Sequence, residues 1–293
     1  PLQAARTVVI VGHQRQQVSA AIAGFKTETV VQEEQLGTGH AVLLTQTVIP
    51  AGEGEVMILC GDTPLLRPES LTAMLAQHRA SVAVCTLMTT RLADPYGYGR
   101  VLTTADGQIT AIVEEKDTTP EQKAIATINT GIYLVKREAL FTALSAIDRN
   151  NAQGEFYLTD IIQKIVHSGQ TVEEFVNADS SEVLGVNSRL ELAQAHAEIG
   201  RRRNRELMLA GVGMERPESI AVALGASVQP DCFLEPGVRL LGKTSLSRGC
   251  RIGQGAILTD CQLGDNVEIG AYTCLTGETL TAGMKVEAGT RAL

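Results

Sequence analysis

Tryptophan is absent from the 293-residue sequence, and aromatic residues make up only 3% of it. Hydrophobic residues nevertheless reach 44%, so the sequence predicts substantial cores that are mainly aliphatic. An excess of basic residues is also missing. The net charge of −8 argues against a broad surface for nucleic acid or anionic membrane, because both partners need a basic face.

Long apolar runs and paired cysteine motifs are missing as well. No apolar run approaches the ~18 residues of a membrane span, and we expect no signal peptide. The six cysteines include no CxxC spacing, so neither a zinc site nor a disulfide scaffold is indicated. We therefore expect a cytoplasmic protein with free thiols.

The first half of the sequence predicts a sheet flanked by helices. Short apolar runs that alternate with amphipathic stretches are typical of βαβ units, which form a mostly parallel sheet. We predict strands over residues 7–12, 27–31, 56–60 and 81–88, and helices over residues 14–25 and 68–79. Ligands of such sheets bind beyond the carboxyl ends of the strands, so the loops that follow the strands are candidate sites.

The last third has a different period. Aliphatic residues recur every six positions, with two five-residue steps, at Val228, Leu234, Leu240, Leu246, Ile252, Leu258, Leu263, Ile269, Leu275, Leu280 and Val286. This period is that of a hexapeptide-repeat β-helix, in which each aliphatic side chain points into the coil. Residues 188–212 contain no proline and predict one long helix before the coils.

The segment QEEQLGTGHA, residues 32–41, follows the second predicted strand. Gly37 and Gly39 would let a ligand approach the backbone closely. A helix that begins at Thr38 would direct free N–H groups at that ligand, which suits a nucleotide. A plain strand-to-helix connection is the alternative explanation of the same residues.

Asp62 lies in the segment CGDTPLL, directly after an apolar strand. A carboxylate in that place suits Mg²⁺, which typically takes one or two carboxylates together with phosphate oxygens. An aspartate that caps the turn at Pro64 is the alternative.

Further polar clusters stand at the edges of apolar runs. They read GYGRV (97–101), VEEKD (113–117), INTGIY (128–133), NNAQGEFYLTD (150–160) and GVNSRLELAQA (185–195). Together with the two segments above, and in this order, they resemble the bacterial N-acetylglucosamine-1-phosphate uridylyltransferases. Members of that family, the GlmU family, are usually fused to a glucosamine-1-phosphate acetyltransferase. The resemblance covers nearly the whole chain.

The resemblance implies a fold and a domain organisation. It implies a Rossmann-like α/β nucleotidyltransferase domain with a mostly parallel sheet over residues 1–187, and a linker helix over residues 188–212. A left-handed parallel β-helix would follow over residues 213–293. The resemblance also implies a homotrimer that assembles through the β-helix.

The resemblance assigns the nucleotide contacts by position. Gln32, Gly37 and Thr38 would contact uracil and ribose, and Gly61 would lie beside the nucleotide. Cys60 stands where many family members carry an aromatic residue, so no contact is carried over to it.

The resemblance also assigns the metal and the sugar. Asp62 and Asn187 would be the catalytic Mg²⁺ ligands and would converge on one metal position. Gly99, Glu114 and Asn129 would surround the N-acetylglucosamine moiety. The implied reaction transfers UMP from UTP to N-acetylglucosamine 1-phosphate. It gives UDP-N-acetylglucosamine, a precursor of peptidoglycan and lipopolysaccharide, and releases pyrophosphate.

Two departures from the family pattern change the expectations. No GxGTR loop with its following lysine occurs in the sequence, so we expect either a fragment or a protein that has lost its triphosphate site. All five histidines, the last of them His196, precede the β-helix. An imidazole base for acetyl transfer is therefore absent from the coils, and we predict no acetyltransferase activity.

Two other functions stay open at this point. One is a nucleotidylyltransferase that uses another base or another sugar 1-phosphate. The other is a non-catalytic protein that binds a nucleotide sugar or forms trimers and lacks the triphosphate loop.

Overall fold

The computed structural model describes residues 2–52 and 54–292. Pro1 and Leu293, the outer ends of the predicted domains, lie outside the described residues. The chain divides into two compact units between Gly185 and Val186.

The first unit alternates strands and helices. Its strands are β1 (Val8–Val11), β2 (Glu28–Val31), β3 (Glu55–Ile58), β4 (Cys85–Arg91), β5 (Arg100–Thr103), β6 (Ile109–Val113), β7 (Thr127–Lys136) and β8 (Val172–Val176). Its helices are α1 (Arg15–Ile22), α2 (Thr38–Leu44), α3 (Pro68–Ala80), α4 (Pro120–Lys123), α5 (Arg137–Ser145) and α6 (Asp160–His167). The predicted strands and helices of this half are thus present, and only their ends differ.

Strand β4 shows the largest shift from prediction, because it begins at Cys85 rather than at Ser81. Ser81 ends α3, where its N–H donates to the carbonyl of His78, and its hydroxyl accepts from the N–H of Ala83. This turn directs Val82 into solvent, where 87% of it is exposed. The turn therefore takes up the first residues of the apolar run, and the strand begins after it.

Strands β1 and β2 form a two-stranded parallel sheet, and the other six strands form a second sheet. In the second sheet β7 is antiparallel to β3, β4 and β5, and β8 is parallel to β4. Strands β3, β4, β5 and β8 therefore point the same way, whereas β6 and β7 point the opposite way. Four of the six strands share one direction, in keeping with the predicted α/β class.

The core of the first unit is aliphatic, as the composition predicts. One cluster centres on Leu87, Leu140 and Ile161, and another on Met74 and Met88. All five residues are fully buried. Burial of side chains of this size stabilises by about 1.5–3 kcal/mol each before the entropy cost of ordering them.

The second unit begins with helix α7 (Arg189–Leu209). Ser188 caps it in a capping box, because its hydroxyl accepts from the N–H of Glu191 while the Glu191 carboxylate accepts from the N–H of Ser188. The helix ends before Gly211, which has a φ of +97°. Within residues 2–52 and 54–292, no helix combines the length and apolarity needed to cross a membrane.

Short strands make up the rest of the second unit. They are β9 (Gly213–Met214), β10 (Ala221–Val222), β11 (Ser227–Val228), β12 (Phe233–Leu234), β13 (Arg239–Leu241), β14 (Ser245–Leu246), β15 (Arg251–Ile252), β16 (Ile257–Thr259), β17 (Gln262–Leu263), β18 (Glu268–Ile269), β19 (Cys274–Thr276), β20 (Thr279–Leu280), β21 (Lys285–Val286) and β22 (Arg291–Ala292). They form three parallel sheets, with the orders β10-β13-β16-β19-β22, β11-β14-β17-β20 and β21-β18-β15-β12-β9. These three sheets form the faces of a left-handed β-helix.

The aliphatic series fills the β-helix in register. Leu240 lies opposite Leu258 in the next coil, and Leu258 lies opposite Leu275 in the one after. The first step is 18 residues and the second is 17, so each five-residue spacing shortens a coil without breaking the aliphatic column. Ten of the eleven predicted positions are buried, and Val286 packs against them partly buried. The hexapeptide period thus predicted this core correctly.

Candidate functional site

A gap in the strand pairing along β7 positions the first part of the site. One edge of β7 pairs with β4 along most of its length. On its other edge β3 ends with Ile58 opposite Tyr133, and β5 begins with Arg100 opposite Ile128. The carboxyl end of β3 and the amino end of β5 therefore flank the same short stretch of β7, residues 129–132.

Gly99, Glu114 and Asn129 lie together at this gap. The N–H of Asn129 donates to the carbonyl of Gly99 across 2.9 Å. A Cβ atom placed on Gly99 would lie 3.4 Å from Glu114 Oε2 and 3.6 Å from the Cβ of Asn129. The structure thus brings together the three residues predicted to surround a sugar, and that role stays a prediction.

The Glu114 side chain is partly buried, and a hydrogen bond from Thr159 holds its carboxylate. The Thr159 hydroxyl donates to Glu114 Oε1 across 3.1 Å. Burial raises the pKa of the Glu114 carboxyl above its ordinary value, and the charges of Asp160 and Asp117 add to that rise against the effect of the Thr159 bond. A ligand that donates hydrogen bonds, such as a sugar hydroxyl, would therefore stabilise the ionised Glu114 carboxylate.

The adjacent Glu115 has a different role, which the sequence did not reveal. Arg100 is 2% exposed, and its Nη2 lies 2.7 Å from Glu115 Oε2. The same carboxylate oxygen accepts from the N–H of Gly97 across 3.2 Å, and Arg100 also donates to the carbonyl of Tyr98. This ion pair between the buried Arg100 and the partly buried Glu115 therefore holds residues 97–99 in place. Its sequence signal was an arginine and a paired carboxylate inside the motifs GYGRV and VEEKD.

Cys60 lies at this gap, against Gly131. Its Sγ lies 3.5 Å from the carbonyl oxygen of Gly131, and a Cβ atom on Gly131 would come within 2.5 Å of that sulfur. Gly131 also has a φ of +76°. Both the close contact with Cys60 and this backbone conformation therefore favour glycine at position 131. Desolvation of the thiol, with the neighbouring charge of Asp62, raises the pKa of Cys60 to about 11.

Asp62 and Gly61 lie on the open side of the same loop. Both residues are exposed, and a Cβ atom on Gly61 would meet nothing within 4 Å. The described residues contain no group of three or more His, Cys, Asp and Glu side chains that could hold a metal. A single exposed carboxylate nevertheless suits Mg²⁺, which keeps several waters and takes phosphate oxygens as further ligands.

Asn187 lies in the second unit, two residues after the division between the units. It is exposed, and its backbone N–H donates to Glu191 Oε2 across 2.6 Å as an extension of the capping box of α7. Its convergence with Asp62 on one metal position stays a prediction.

The glycines of residues 37–39 pack closely against the segment around Phe156. Gly37 has a φ of +112°, and a Cβ atom there would lie 2.6 Å from the carbonyl oxygen of Phe156. Gly39 donates its N–H to that same carbonyl across 2.8 Å. The Thr38 hydroxyl accepts from the N–H of Leu158. The chain itself thus packs against one side of this loop, and the expectation that the glycines admit a ligand stays a prediction.

Gln32 lies at the mouth of a cleft beyond the carboxyl ends of β1 and β2. The cleft measures about 540 Å³, a typical size for a small-ligand site, and it is lined by Gly12, His13, Gln14, Arg15, Gln16, Gln17, Val31, Gln32, Glu33 and Gln35. Gln32 Nε2 donates to the carbonyl of Gly37 across 3.0 Å and lies 3.1 Å from His40 Nδ1. The residues predicted for uracil and ribose thus contact one another.

Comparison with known proteins places this geometry in a family. The family described as Nucleotidyl transferase matches residues 5–198. The protein named Bifunctional protein GlmU from Desulfotalea psychrophila is 46% identical over 286 residues, which cover 98% of this chain and 84% of that protein. The proteins of the same name from Pelobacter propionicus and Geobacter metallireducens are 40% and 45% identical over 98% and 86% of this chain.

The chain spans 64% and 53% of the length of these last two relatives, so it corresponds to part of them. The matched region includes both the α/β unit and coils of the β-helix, since the alignment to the first relative leaves out only 2% of the chain. On these identities, the chain belongs to the nucleotidyl transferase family and, within it, to the GlmU family.

Proposed function

We propose that the chain transfers UMP from UTP to N-acetylglucosamine 1-phosphate and releases pyrophosphate. The observation that carries this proposal is the convergence of Gly99, Glu114 and Asn129 at the gap in β7, beside the loop that bears Asp62. Three relatives of this chain carry the name Bifunctional protein GlmU, which supports the same function.

The sugar would occupy the gap beside β7. Glu114 would accept hydrogen bonds from sugar hydroxyls, and Thr159 would hold its carboxylate toward them. Gly99 offers no side chain, so the wall of the pocket at this point is backbone. A sugar can approach that backbone more closely than it could approach any other residue.

The nucleotide would lie beyond the carboxyl ends of β1 and β2, in the cleft that Gln32 lines. Gln32 and the backbone of Gly37 would contact the uracil, and Thr38 the ribose. Gly61 would lie beside the nucleotide, where it leaves open space.

The reaction needs positioning and neutralisation of charge more than it needs a covalent nucleophile. The phosphate oxygen of the sugar 1-phosphate attacks the α-phosphorus of UTP, and pyrophosphate leaves with the bonding electron pair. Asp62 and Asn187 would hold Mg²⁺, which supplies positive charge to the phosphate oxygens when bound. The first unit would hold the two substrates for this attack.

The experiment that tests the proposal follows uridine-labelled UTP in the presence of Mg²⁺. We expect labelled UDP-N-acetylglucosamine with N-acetylglucosamine 1-phosphate and far less product with glucose 1-phosphate. The Asn129→Ala variant should lose most of that product. Equal incorporation with both sugars would favour another sugar nucleotidylyltransferase. A folded chain that binds UDP-N-acetylglucosamine without any transfer would favour the binding protein.

Two further parts of the proposal concern the second unit. We propose that the protein acts in the cytoplasm and assembles as a homotrimer through residues 213–293. Light scattering should give three times the chain mass of 31.2 kDa.

A further inference from the structure

Glu182 is a buried carboxylate that the proposed substrate contacts do not use. It is 4% exposed and ends the short 3₁₀-helix Ser180–Glu182, which follows β8. The Ser70 hydroxyl donates to Glu182 Oε2 across 2.6 Å, and the Asn177 side-chain amide donates to the same oxygen across 3.3 Å. Arg67 Nε lies 3.2 Å from the other oxygen, Oε1. Because the carboxylate is buried and both of its oxygens are engaged, Glu182 acts on the segments that contact it rather than on a ligand.

These contacts join two segments that are far apart in sequence. Ser70 lies in the first turn of α3, and Arg67 directly precedes that helix. Asp62 lies in the loop that leads from β3 to Arg67. Asn187 lies five residues after Glu182, in the chain that continues from the other segment. The Glu182 carboxylate therefore attaches the loop that bears one predicted Mg²⁺ ligand to the segment that leads to the other.

Apolar packing brings the same two segments together. Val183, which follows Glu182, is 1% exposed in the cluster around Met74. Leu66, which precedes Arg67, packs against that cluster as well. Apolar contacts are non-directional, so they hold the segments together without fixing their relative position. Hydrogen bonds and ion pairs depend on distance and angle, and those of Glu182 therefore fix that position.

We propose that Glu182 is a positioning residue that holds the loop of Asp62 where Asp62 can bind Mg²⁺. This inference rests on the proposed function, in which Asp62 is a metal ligand. The start of the loop is fixed by β3 and by the contact of Cys60 with the Gly131 carbonyl, whereas Glu182 fixes its end through Arg67. Asp62 itself is exposed, so its position depends on how the two ends of the loop are attached. Glu182 would thus set the metal affinity without touching the metal.

Replacement of Glu182 by glutamine should weaken this attachment and leave the size of the side chain unchanged. Glutamine carries no charge, and it has a donor group in place of one acceptor oxygen. Arg67 then retains the exposed Asp179, 3.3 Å from its Nη2, and a surface ion pair of this kind contributes little. The dissociation constant of the metal should rise roughly 3- to 10-fold, because a net hydrogen bond is worth about that factor.

The test uses Mn²⁺, which accepts the same oxygen ligands as Mg²⁺ and is visible by electron paramagnetic resonance. Mn²⁺ is titrated into the full chain saturated with UDP-N-acetylglucosamine, with correction for Mn²⁺ that the nucleotide sugar binds alone. We expect Glu182→Gln to bind Mn²⁺ roughly 3- to 10-fold more weakly than the wild type. Glu55→Gln is the matched control, because it breaks the ion pair with Arg79 at the opposite end of α3 and should bind Mn²⁺ like the wild type. In the Asp62→Asn background, Glu182→Gln should have no further effect.

Hydrogen–deuterium exchange supplies a readout that needs no ligand. The amides of residues 65–71, at the end of the loop and the start of α3, should exchange several-fold faster in Glu182→Gln than in the wild type. Glu55→Gln should leave their exchange unchanged. Equal protection of these amides in all three proteins would show that Glu182 does not hold the loop, which contradicts the inference.

The outcomes separate this inference from the proposed function. An unchanged Mn²⁺ affinity in folded Glu182→Gln, an equal loss in Glu55→Gln, or a further loss in the Asp62→Asn background would overturn the inference and leave the proposed function standing. Ser70→Ala removes one hydrogen bond, keeps the ion pair and should give a smaller loss in the same direction, so it decides the question if Glu182→Gln does not fold. A folded wild type that binds Mn²⁺ no better than Asp62→Asn would remove the proposed metal site and this inference together.

Discussion

Glu114 and Glu115 are adjacent in the chain, but their surroundings shift their carboxyl pKa values in opposite directions. Burial raises the pKa of Glu114, whereas the hydrogen bond from Arg100 lowers the pKa of Glu115. One carboxylate faces the gap beside β7, and the other holds the loop that forms its wall. Substitution of one glutamate therefore serves as the matched control for substitution of the other.

Replacement of each glutamate by glutamine should change stability with opposite signs. Glu114 has a raised pKa, so its contribution to stability is present below the ordinary value of 4.5 and is lost as pH rises through the raised value. Glu115 has a lowered pKa, so its contribution is present above 4.5 and is lost as pH falls through the lowered value. At neutral pH, Glu114→Gln should therefore stabilise the protein and Glu115→Gln should destabilise it.

Urea unfolding of the wild type and both variants, from acid to neutral pH, measures these effects. Glu114→Gln should remove the fall in stability with rising pH that the wild type shows above 4.5. Glu115→Gln leaves the buried Arg100 without its carboxylate partner, so its deficit should persist at neutral pH. Shifts of the same sign in both variants would contradict the assignment of different roles to the two residues.

Gly37→Ala should destabilise the first unit. The φ of +112° alone costs a residue with a side chain about 1–3 kcal/mol. The added Cβ atom would also lie 2.6 Å from the Phe156 carbonyl. Gly24→Ala is the control, since a Cβ atom there meets nothing within 4 Å, and its effect should stay within about 0.5 kcal/mol. Equal stability of the two variants would show that Phe156 does not pack here.

Gly99→Ala should weaken sugar binding. The new methyl group would stand 3.0 Å from Ile112 Cγ2 and 3.4 Å from Glu114 Oε2, so it would crowd the pocket wall. Overpacking of this kind typically costs about 1–3 kcal/mol, and we expect the affinity for UDP-N-acetylglucosamine to fall about tenfold. Calorimetry measures this, again with Gly24→Ala as the control. Unchanged affinity in the folded variant would place the sugar elsewhere.

Cys60 should react slowly with alkylating reagents near neutral pH. Desolvation, with the charge of Asp62, raises its pKa to about 11, and only the thiolate is the nucleophile. Its alkylation rate should therefore rise about tenfold for each unit of pH up to that value. Mass spectrometry of the peptide that contains Cys60 measures the rate, with free glutathione as the reference thiol.

The same thiol reports on the charge of Asp62. Asp62→Asn should accelerate the alkylation of Cys60, because the negative charge that disfavours the thiolate is removed. Mg²⁺ should accelerate it in the wild type and not in the Asp62→Asn variant. Identical effects of Mg²⁺ on both proteins would argue against a metal ligand at position 62.

Local patterns in the sequence predicted the elements well. The β-branched run before Gly12 became β1, and the six-residue period became the buried column of the β-helix. These features depend on residues that are close in sequence or that repeat. A period specifies which side of the chain faces inward, so the core could be read from the sequence.

The roles that depend on distant residues could not be read in this way. Arg100 looks like an ordinary charged residue in sequence, and its pairing with Val113 of β6 in the folded chain brings it beside Glu115. The fold also places the Phe156 carbonyl against Gly37, a contact that the pattern around position 37 did not indicate. Pairings across 15 to more than 100 positions are set by tertiary structure, and no local pattern encodes them.

Isothermal titration calorimetry of the folded wild type and the Asn129→Ala variant with UDP-N-acetylglucosamine in Mg²⁺ tests the central claim most directly. The predicted sugar and uracil contacts map to residues of this sequence. We predict saturable binding of UDP-N-acetylglucosamine by the wild type that Asn129→Ala weakens. Absence of that binding in a folded sample, or equal affinity of the wild type and the variant, would contradict the account.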